Sequence, residues 1–268
     1  MPGDTNIAWT NKTWNFVTGC SRTSPGCSHC YAEALAKRFA GTKAFPAGFA
    51  VTAHPERLGA PLRWRKPSRI FVNSMSDLFH PEVPDELVAR GFAVMRAAHW
   101  HTFQVLTKRP QRMAKLLSDP GFVAQVDSLA PSGPSLEPRP WPLPNVWLGV
   151  SVESGRYAFR VDWLRRAPAS VRFVSAEPLL GPLPGLDLVG VDWLIVGGES
   201  GPGARPLEVA WVRDLRDRCQ AAGVAFFLKQ DAGPRPGHRG RFADADEWPQ
   251  QYPAGDAAPT WGHASPPP

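Results

Sequence analysis

Residues 69–106 read RIFVNSMSDLFHPEVPDELVARGFAVMRAAHWHTFQVL, and the fold can be predicted from the pattern of this stretch. Two short runs rich in Val, Ile and Phe, Arg69–Asn73 and Thr102–Leu106, lie on either side of a segment with apolar residues at helical spacing. That segment, Asp85–Ala98, follows the helix-start signal Pro84. A short apolar strand, a helix and a second apolar strand predict a βα unit whose parallel strands are buried on both faces.

The same pattern continues toward the C-terminus. Four more apolar runs have strand character: Asn145–Val150, Val171–Val174, Trp193–Val196 and Val224–Leu228. Two more segments have helical spacing: Ser28–Phe39, and Glu208–Ala222 with Gly223 as its stop. Strands that alternate with helices predict an α/β protein, and 268 residues suit one full or partial (β/α) barrel with parallel strands. A doubly wound open sheet is the alternative.

Two proline-rich stretches depart from the pattern. Residues 129–144 contain six prolines and are predicted to form an insertion within a barrel domain of residues 1–253. Residues 254–268 are small, polar and proline-rich, and are predicted to be a disordered tail. The sequence has no apolar run of about 18 residues and no layout typical of a signal peptide, so we expect a cytoplasmic protein without a membrane segment.

Charge is distributed unevenly along the chain. Residues 1–120 carry 16 Lys and Arg against 8 Asp and Glu, whereas residues 121–268 carry 14 against 16. A basic N-terminal half is compatible with a polyanionic partner such as nucleic acid or a phosphorylated substrate. The other interpretation is a solvated, arginine-rich surface with no specific partner.

Three of the four cysteines lie in one loop. Residues 15–33 read NFVTGCSRTSPGCSHCYAE, which gives Cys20, Cys27 and Cys30 the spacing C-x6-C-x2-C. Three thiolates from one loop can hold three irons of a four-iron cluster and leave the fourth iron open. A zinc site completed by His29 is an alternative, although a histidine between two ligating cysteines should point away from their metal, and unliganded thiols are another. Cys219 lies on the apolar face of its predicted helix and is expected to be structural.

Polar residues follow each predicted strand. In a barrel of βα units, the carboxyl ends of the strands are where functional groups gather. The candidates are Asn73, Ser74, Ser76, Asp77, Thr107, Lys108, Arg109, Ser151, Glu153, Glu177, Glu199, Arg205, Lys229 and Gln230. Any one of them alone is as well explained by a loop cap or a salt bridge. Lys108 and Lys229, in particular, could simply neutralise Glu177 and Glu199.

With these residues in view, the chain resembles the radical S-adenosylmethionine (SAM) superfamily. More closely, it resembles a phage- and bacteria-associated group of radical-SAM-like proteins with a three-cysteine motif. The resemblance covers residues 6–231, through the stretches TGCSRTSPGCSHCYAE, FVNSMSDLFHPEVP, FQVLTKRPQRM, WLGVSVE, RFVSAEPLLGPL, LIVGGESGPGARP and FFLKQ. The commonest superfamily spacing is C-x3-C-x2-C with an aromatic residue before the last cysteine. Here the first gap is six residues, and His29 takes the place of the aromatic residue.

The resemblance implies an enzyme with two cofactors. A [4Fe-4S] cluster would be held by Cys20, Cys27 and Cys30, and would reduce SAM to give methionine and a 5′-deoxyadenosyl radical. Among the strand-end residues, Ser74, Ser76 and Asp77 would bind the methionine amino group, and Ser151 and Glu153 the ribose. Of the other candidates, Lys108, Glu177, Glu199 and Lys229 would act on the substrate.

The resemblance and the charge also suggest partners. Flavodoxin or ferredoxin would supply the electron, and the basic N-terminal half suggests a nucleotide or DNA base as substrate. The alternative from a different class is a nucleic-acid-binding protein that is stabilised by zinc or an iron–sulfur cluster and has no catalytic activity. That alternative leaves Glu177 and Glu199 unexplained, because a groove for a polyanion should avoid carboxylates.

Overall fold

Seven parallel strands form the main sheet of the protein, in a computed structural model that describes residues 4–130 and 140–254. The strands are β1 (Lys12–Trp14), β2 (Arg69–Val72), β3 (Thr102–Thr107), β4 (Val146–Ser151), β5 (Val171–Ala176), β6 (Trp193–Gly197) and β7 (Ala225–Gln230). They lie in the sheet in the same order as in the sequence. The sheet is curled into a half-barrel flanked by helices, which confirms the partial barrel. A doubly wound sheet is excluded, because its strand order would reverse.

Helices connect the strands in the described part of the chain, except between β5 and β6, where residues 177–192 contain no helix. They are α1 (Tyr31–Arg38), α2 (Asp85–Ala97), α3 (Pro110–Leu117), α4 (Pro120–Leu129), α5 (Arg160–Arg166) and α6 (Val209–Ala222). A short antiparallel ladder between Val17–Thr18 and Thr52–Ala53 lies beside β1. The stop predicted at Gly223 is confirmed, since this residue adopts the left-handed conformation with φ 67° at the end of α6.

Alternating side chains of the strands build two separate cores. One face of each strand packs with the helices; Ile70, Val105 and Val174 are fully buried there. The opposite, concave face carries an aromatic cluster: Trp9, Phe71, Trp147, Phe173, Trp193, Ile195 and Phe227. These residues fill the hollow toward the amino ends of the strands. The carboxyl ends are therefore the open side of the half-barrel.

The predicted elements are largely confirmed. All six predicted strands are present, with ends that differ by one or two residues, and the helices predicted around α2 and α6 are also present. The first strand, β1, was not predicted. The helix predicted over Ser28–Phe39 begins only at Tyr31, because residues 25–27 form a 3-10 turn and Cys30 has an extended backbone with φ −67° and ψ 118°.

Some predictions fall on parts of the chain that are not described. Most of the proline-rich insertion, residues 131–139, and nearly all of the predicted tail, residues 255–268, lie outside the described residues. Within residues 4–130 and 140–254, no helix has the length and apolar character needed to cross a bilayer.

Candidate metal centre at the carboxyl edge of the sheet

The cysteine loop is fastened to the carboxyl end of β2. The backbone N–H of Gly19 donates to Met75 O at 2.9 Å, and the backbone N–H of Cys20 donates to Phe49 O at 3.2 Å. Gly19 has φ 87°, and a Cβ there would lie 2.1 Å from Ala50 O, so only glycine permits this close approach. The loop therefore starts at a fixed point beside the open side of the half-barrel.

All four cysteines are free thiols, but they occupy two different environments. Cys20, Cys27 and Cys30 are partly exposed, whereas Cys219 is buried in α6. Burial raises the pKa of the Cys219 thiol to about 12, so it stays protonated and unreactive. Cys219 is structural, as its position on the helix predicted.

Cys20 lies against an arginine. Arg109 Nη1 donates to Cys20 Sγ at 3.5 Å, and the guanidinium also donates to the carbonyl and hydroxyl oxygens of Ser21 at 3.0 Å. Burial raises the pKa of the Cys20 thiol, and the charges of Asp77 and Cys27 raise it further, while Arg109 opposes them.

The surroundings of Cys27 lower the pKa of its thiol. Burial raises its pKa, but hydrogen bonding to the backbone of Thr23 and Ser24 and the charge of Lys108 together give a net lowering. Thiolates are the form of cysteine that binds metals. Lys108 itself makes no ion pair with any residue that the structure describes.

Asp77 orients the arginine that contacts Cys20. Its two oxygens accept hydrogen bonds from Thr107 Oγ1 at 2.7 Å, the backbone N–H groups of Phe79 and Lys108 at 3.0 and 3.1 Å, and Arg109 Nη1 at 3.0 Å. A carboxylate offers about four acceptor positions, so those of Asp77 are in use.

The two serines near Asp77 bond to the N-terminal segment. Ser74 exchanges hydrogen bonds with the Asn15 side chain, and Ser76 Oγ donates to Val17 O at 2.9 Å. Both serines thus help to hold the segment that leads into the cysteine loop.

Glu199 ties the other end of the cysteine loop to β6. His29 Nδ1 lies 2.8 Å from Glu199 Oε2, and Arg205 Nε donates to the same oxygen at 3.0 Å. Arg205 Nη2 also donates to Pro25 O at 3.1 Å. Burial raises the pKa of Glu199, but the hydrogen bonds from Arg205 and His29 outweigh it and lower the pKa to about 2. His29 is therefore engaged by a carboxylate.

Glu177 and Lys229 form an ion pair on the concave face. Lys229 Nζ lies 3.1 Å from Glu177 Oε1, and Trp9 Nε1 and Ser175 Oγ each donate to Glu177 Oε2 at 3.2 Å. This ion pair lies above the aromatic cluster. The predicted neutralisation of Glu177 by Lys229 is present, whereas Glu199 is paired with Arg205 rather than with Lys108.

Glu153 is fully buried beneath the cysteine loop. Arg160 Nη1 donates to Glu153 Oε2 at 2.9 Å and to Ser151 O at 2.8 Å. The other oxygen, Glu153 Oε1, has no hydrogen-bond partner among the described residues. A Cβ on Gly26 would lie 3.3 Å from Glu153 Cδ, so this glycine lets the loop approach the carboxylate closely.

The structure thus brings most of the predicted residues to one edge. Cys20 lies near Asp77 and Arg109, and Cys27 lies near Lys108. Gly26 and His29 of the same loop lie against Glu153 and Glu199, respectively. Sequence reasoning missed Arg160 and Trp9, which hold Glu153 and Glu177, because neither lies in a strand-end position.

The donor set fits an iron–sulfur cluster by its chemistry. Three free, partly exposed thiols come from one loop, and the pKa of one of them, Cys27, is lowered. Two cations, Arg109 beside Cys20 and Lys108 near Cys27, can offset the negative charge of thiolates. In the described residues, no three Cys, His, Asp or Glu side chains are already gathered at metal-binding geometry. The loop would therefore bring its sulfurs together on binding.

The comparisons with known proteins identify a family but no activity. A family model described as a protein of unknown function (DUF5131) matches residues 4–250. No curated protein and no solved structure matches the chain. The match spans nearly the whole of the described half-barrel, including the cysteine loop and every strand. The chain therefore belongs to the DUF5131 family of proteins of unknown function.

Proposed function

We propose that this protein is an iron–sulfur enzyme that uses SAM to generate a 5′-deoxyadenosyl radical and acts on a substrate still to be identified. The observation that carries the proposal is the position of three free thiols on one loop at the open, carboxyl end of an all-parallel half-barrel. That end is where barrels of βα units bind their ligands. The free thiols also suit the reducing cytoplasm in which we propose that it acts.

Cys20, Cys27 and Cys30 would hold three irons of a [4Fe-4S] cluster. Such a cluster supplies the one electron that cleaves the sulfonium bond of SAM into methionine and a 5′-deoxyadenosyl radical, which can abstract hydrogen from a substrate. The protein would position and desolvate these groups. Arg109, oriented by Asp77, offsets negative charge beside Cys20.

Glu153 is the residue best suited to a SAM hydroxyl group. Its buried Oε1 lacks a hydrogen-bond partner among the described residues, while Arg160 donates to Oε2. Ser151 lies at the end of the same strand and would complete this part of the site. We assign Ser74, Ser76 and Asp77 to the edge that receives the methionine amino group, with the serine hydroxyls as its acceptors, because the acceptor positions of Asp77 are already in use.

The substrate would lie over the concave face. The ion pair of Glu177 and Lys229 borders this space, and Glu199 holds the loop above it. Lys108 has no ion pair among the described residues, so its ammonium is available to a phosphate. These features support a nucleotide or a nucleic-acid base as the substrate class.

The test is cleavage of SAM without oxygen. With the iron–sulfur cluster reconstituted and dithionite as reductant, the protein should release 5′-deoxyadenosine and methionine slowly even without substrate. Cys27→Ala should abolish the release, and Cys219→Ala should leave it unchanged. Glu153→Gln should weaken SAM binding about tenfold with iron content unchanged, because it removes one charged acceptor. An intact, reduced cluster with no SAM binding or cleavage would contradict the proposal.

A further inference from the structure

Helix α1 starts directly after Cys30 and carries an exposed apolar stripe. Tyr31, Leu35 and Phe39 are 49%, 40% and 44% exposed and lie four residues apart, on one face of the helix. They are half of the six large apolar side chains that are exposed in the described residues. The others, Leu62, Phe159 and Val189, are scattered singly in the sequence. Isolated apolar side chains on a surface are ordinary, whereas a contiguous group marks an interaction site.

Basic residues border this stripe. Lys37, Arg38 and Lys43 are exposed around it, and Arg38 lies over the Phe39 ring at 5.5 Å. The one carboxylate of α1, Glu33, is already paired with Arg22 and Lys37 at 2.9 and 2.7 Å. The surface therefore has an apolar centre and a positively charged rim. That layout suits a partner with an apolar patch bordered by acidic residues.

The stripe is also rigidly connected to the metal-binding loop. Tyr31 Oη donates to Ser74 O at 2.6 Å, and Ala32 and Ala36 are buried on the opposite face of the helix. The segment that follows α1 returns to the loop, where Phe49 O accepts from the N–H of Cys20. A protein seated on α1 would therefore lie beside the cysteine loop, because the helix begins directly after Cys30 and rises only about 1.5 Å per residue.

We propose that this face of α1, with Lys37, Arg38 and Lys43, is the docking surface for a small acidic protein that donates one electron to the group held by the cysteines. The inference rests on the proposed function, which requires such an electron. At each transfer the donor is oxidised by one electron and the cysteine-held group is reduced by one. No bond forms or breaks at the docking surface.

The experiment compares two reductants in the same variants, with reduced flavodoxin as the protein donor and dithionite as the chemical one. Leu35→Glu and Arg38→Glu should each lower the flavodoxin-driven rate of SAM cleavage about tenfold or more, because they remove apolar contact or place an acid opposite the acidic donor. Both should leave the dithionite-driven rate unchanged. Glutamate favours helices, so α1 itself should persist. Raising the salt concentration should slow only the flavodoxin-driven reaction of the unaltered protein.

Val189→Glu is the matched control, because Val189 is 74% exposed and lies in the loop before β6, which is four strands away from β2 in the sheet. It should retain both rates. The docking proposal is overturned if flavodoxin drives no reaction in a dithionite-active protein, or if the α1 variants and Val189→Glu behave alike. Failure of the dithionite-driven reaction in the unaltered protein would instead overturn the proposed function.

Discussion

Glu199 links the end of β6 to the cysteine loop. Its carboxylate contacts His29, and it fixes Arg205, which in turn reaches Pro25 O. Glu199→Gln removes the negative charge of its ion pair with Arg205. We expect the free energy of unfolding to fall by about 2 kcal/mol and the loop to loosen, so that Cys27 and Cys30 of the metal-free protein react several-fold faster with a maleimide.

Asp231→Asn provides the control for this prediction. Asp231 forms a comparable pair with Arg241 at 2.8 Å, in the segment after β7, and has no contact with the cysteine loop. Thermal unfolding should show a similar loss of stability, with thiol labelling unchanged. Equal labelling rates in the two variants would show that Glu199 does not hold the loop.

At the scale of single residues, the sequence predicts which residues lie at the site better than it predicts which side chains contact each other. The position of His29 between two cysteines indicated that it would not share their metal, but its contact with Glu199 spans 170 residues. The same holds for Glu153 and Asp77, whose strand-end positions could be predicted. Their ion-pair partners, Arg160 and Arg109, are determined by the tertiary structure, which cannot be predicted from the spacing of residues in the sequence.

Packing between neighbouring strands gives the sharpest prediction at the scale of elements. Gly149 of β4 faces Phe173 of β5, and a Cβ at this glycine would lie 2.4 Å from the phenylalanine ring. Gly149→Ala should therefore destabilise the protein by about 1–3 kcal/mol, because the aromatic cluster has no room for a methyl group. Denaturant unfolding monitored by tryptophan fluorescence measures the change.

Gly185→Ala is the matching substitution in open space, since a Cβ there meets nothing within 4 Å. It should change the free energy of unfolding by well under 1 kcal/mol. If Gly149→Ala were equally harmless, the close contact between β4 and β5 on the concave face would be wrong.

The elements that were predicted and those that were missed differ in length and burial. Strands of four to six residues with apolar side chains on both faces, such as β4 and β6, produce a clear pattern. β1 has three residues, of which only Trp14 is buried, so its sequence carries almost no strand signal. The late start of α1 depends on the 3-10 turn at residues 25–27. Pro25 and Gly26 are residues that favour a turn, but they do not indicate where the following helix begins.

Over the whole molecule, the acidic residues at the strand ends form a set of ion pairs around the open side of the half-barrel. The pairs are Asp77–Arg109, Glu153–Arg160, Glu177–Lys229, Glu199–Arg205 and Asp231–Arg241. The sequence could predict that charged groups would gather at this edge, because parallel strands all end there. The sequence could not show whether these charged groups would form salt bridges or bind a ligand. In the structure each of the five carboxylates forms a salt bridge.

The central claim is that Cys20, Cys27 and Cys30 hold an iron–sulfur cluster, and metal content tests it most directly. Purified without oxygen, or reconstituted with iron and sulfide, the protein should be brown and contain about four irons and four sulfides per chain. Cys20→Ala, Cys27→Ala and Cys30→Ala should each remove most of the iron, whereas Cys219→Ala should retain all of it. A colourless protein that holds one zinc, or iron that is indifferent to all three loop cysteines, would contradict the account.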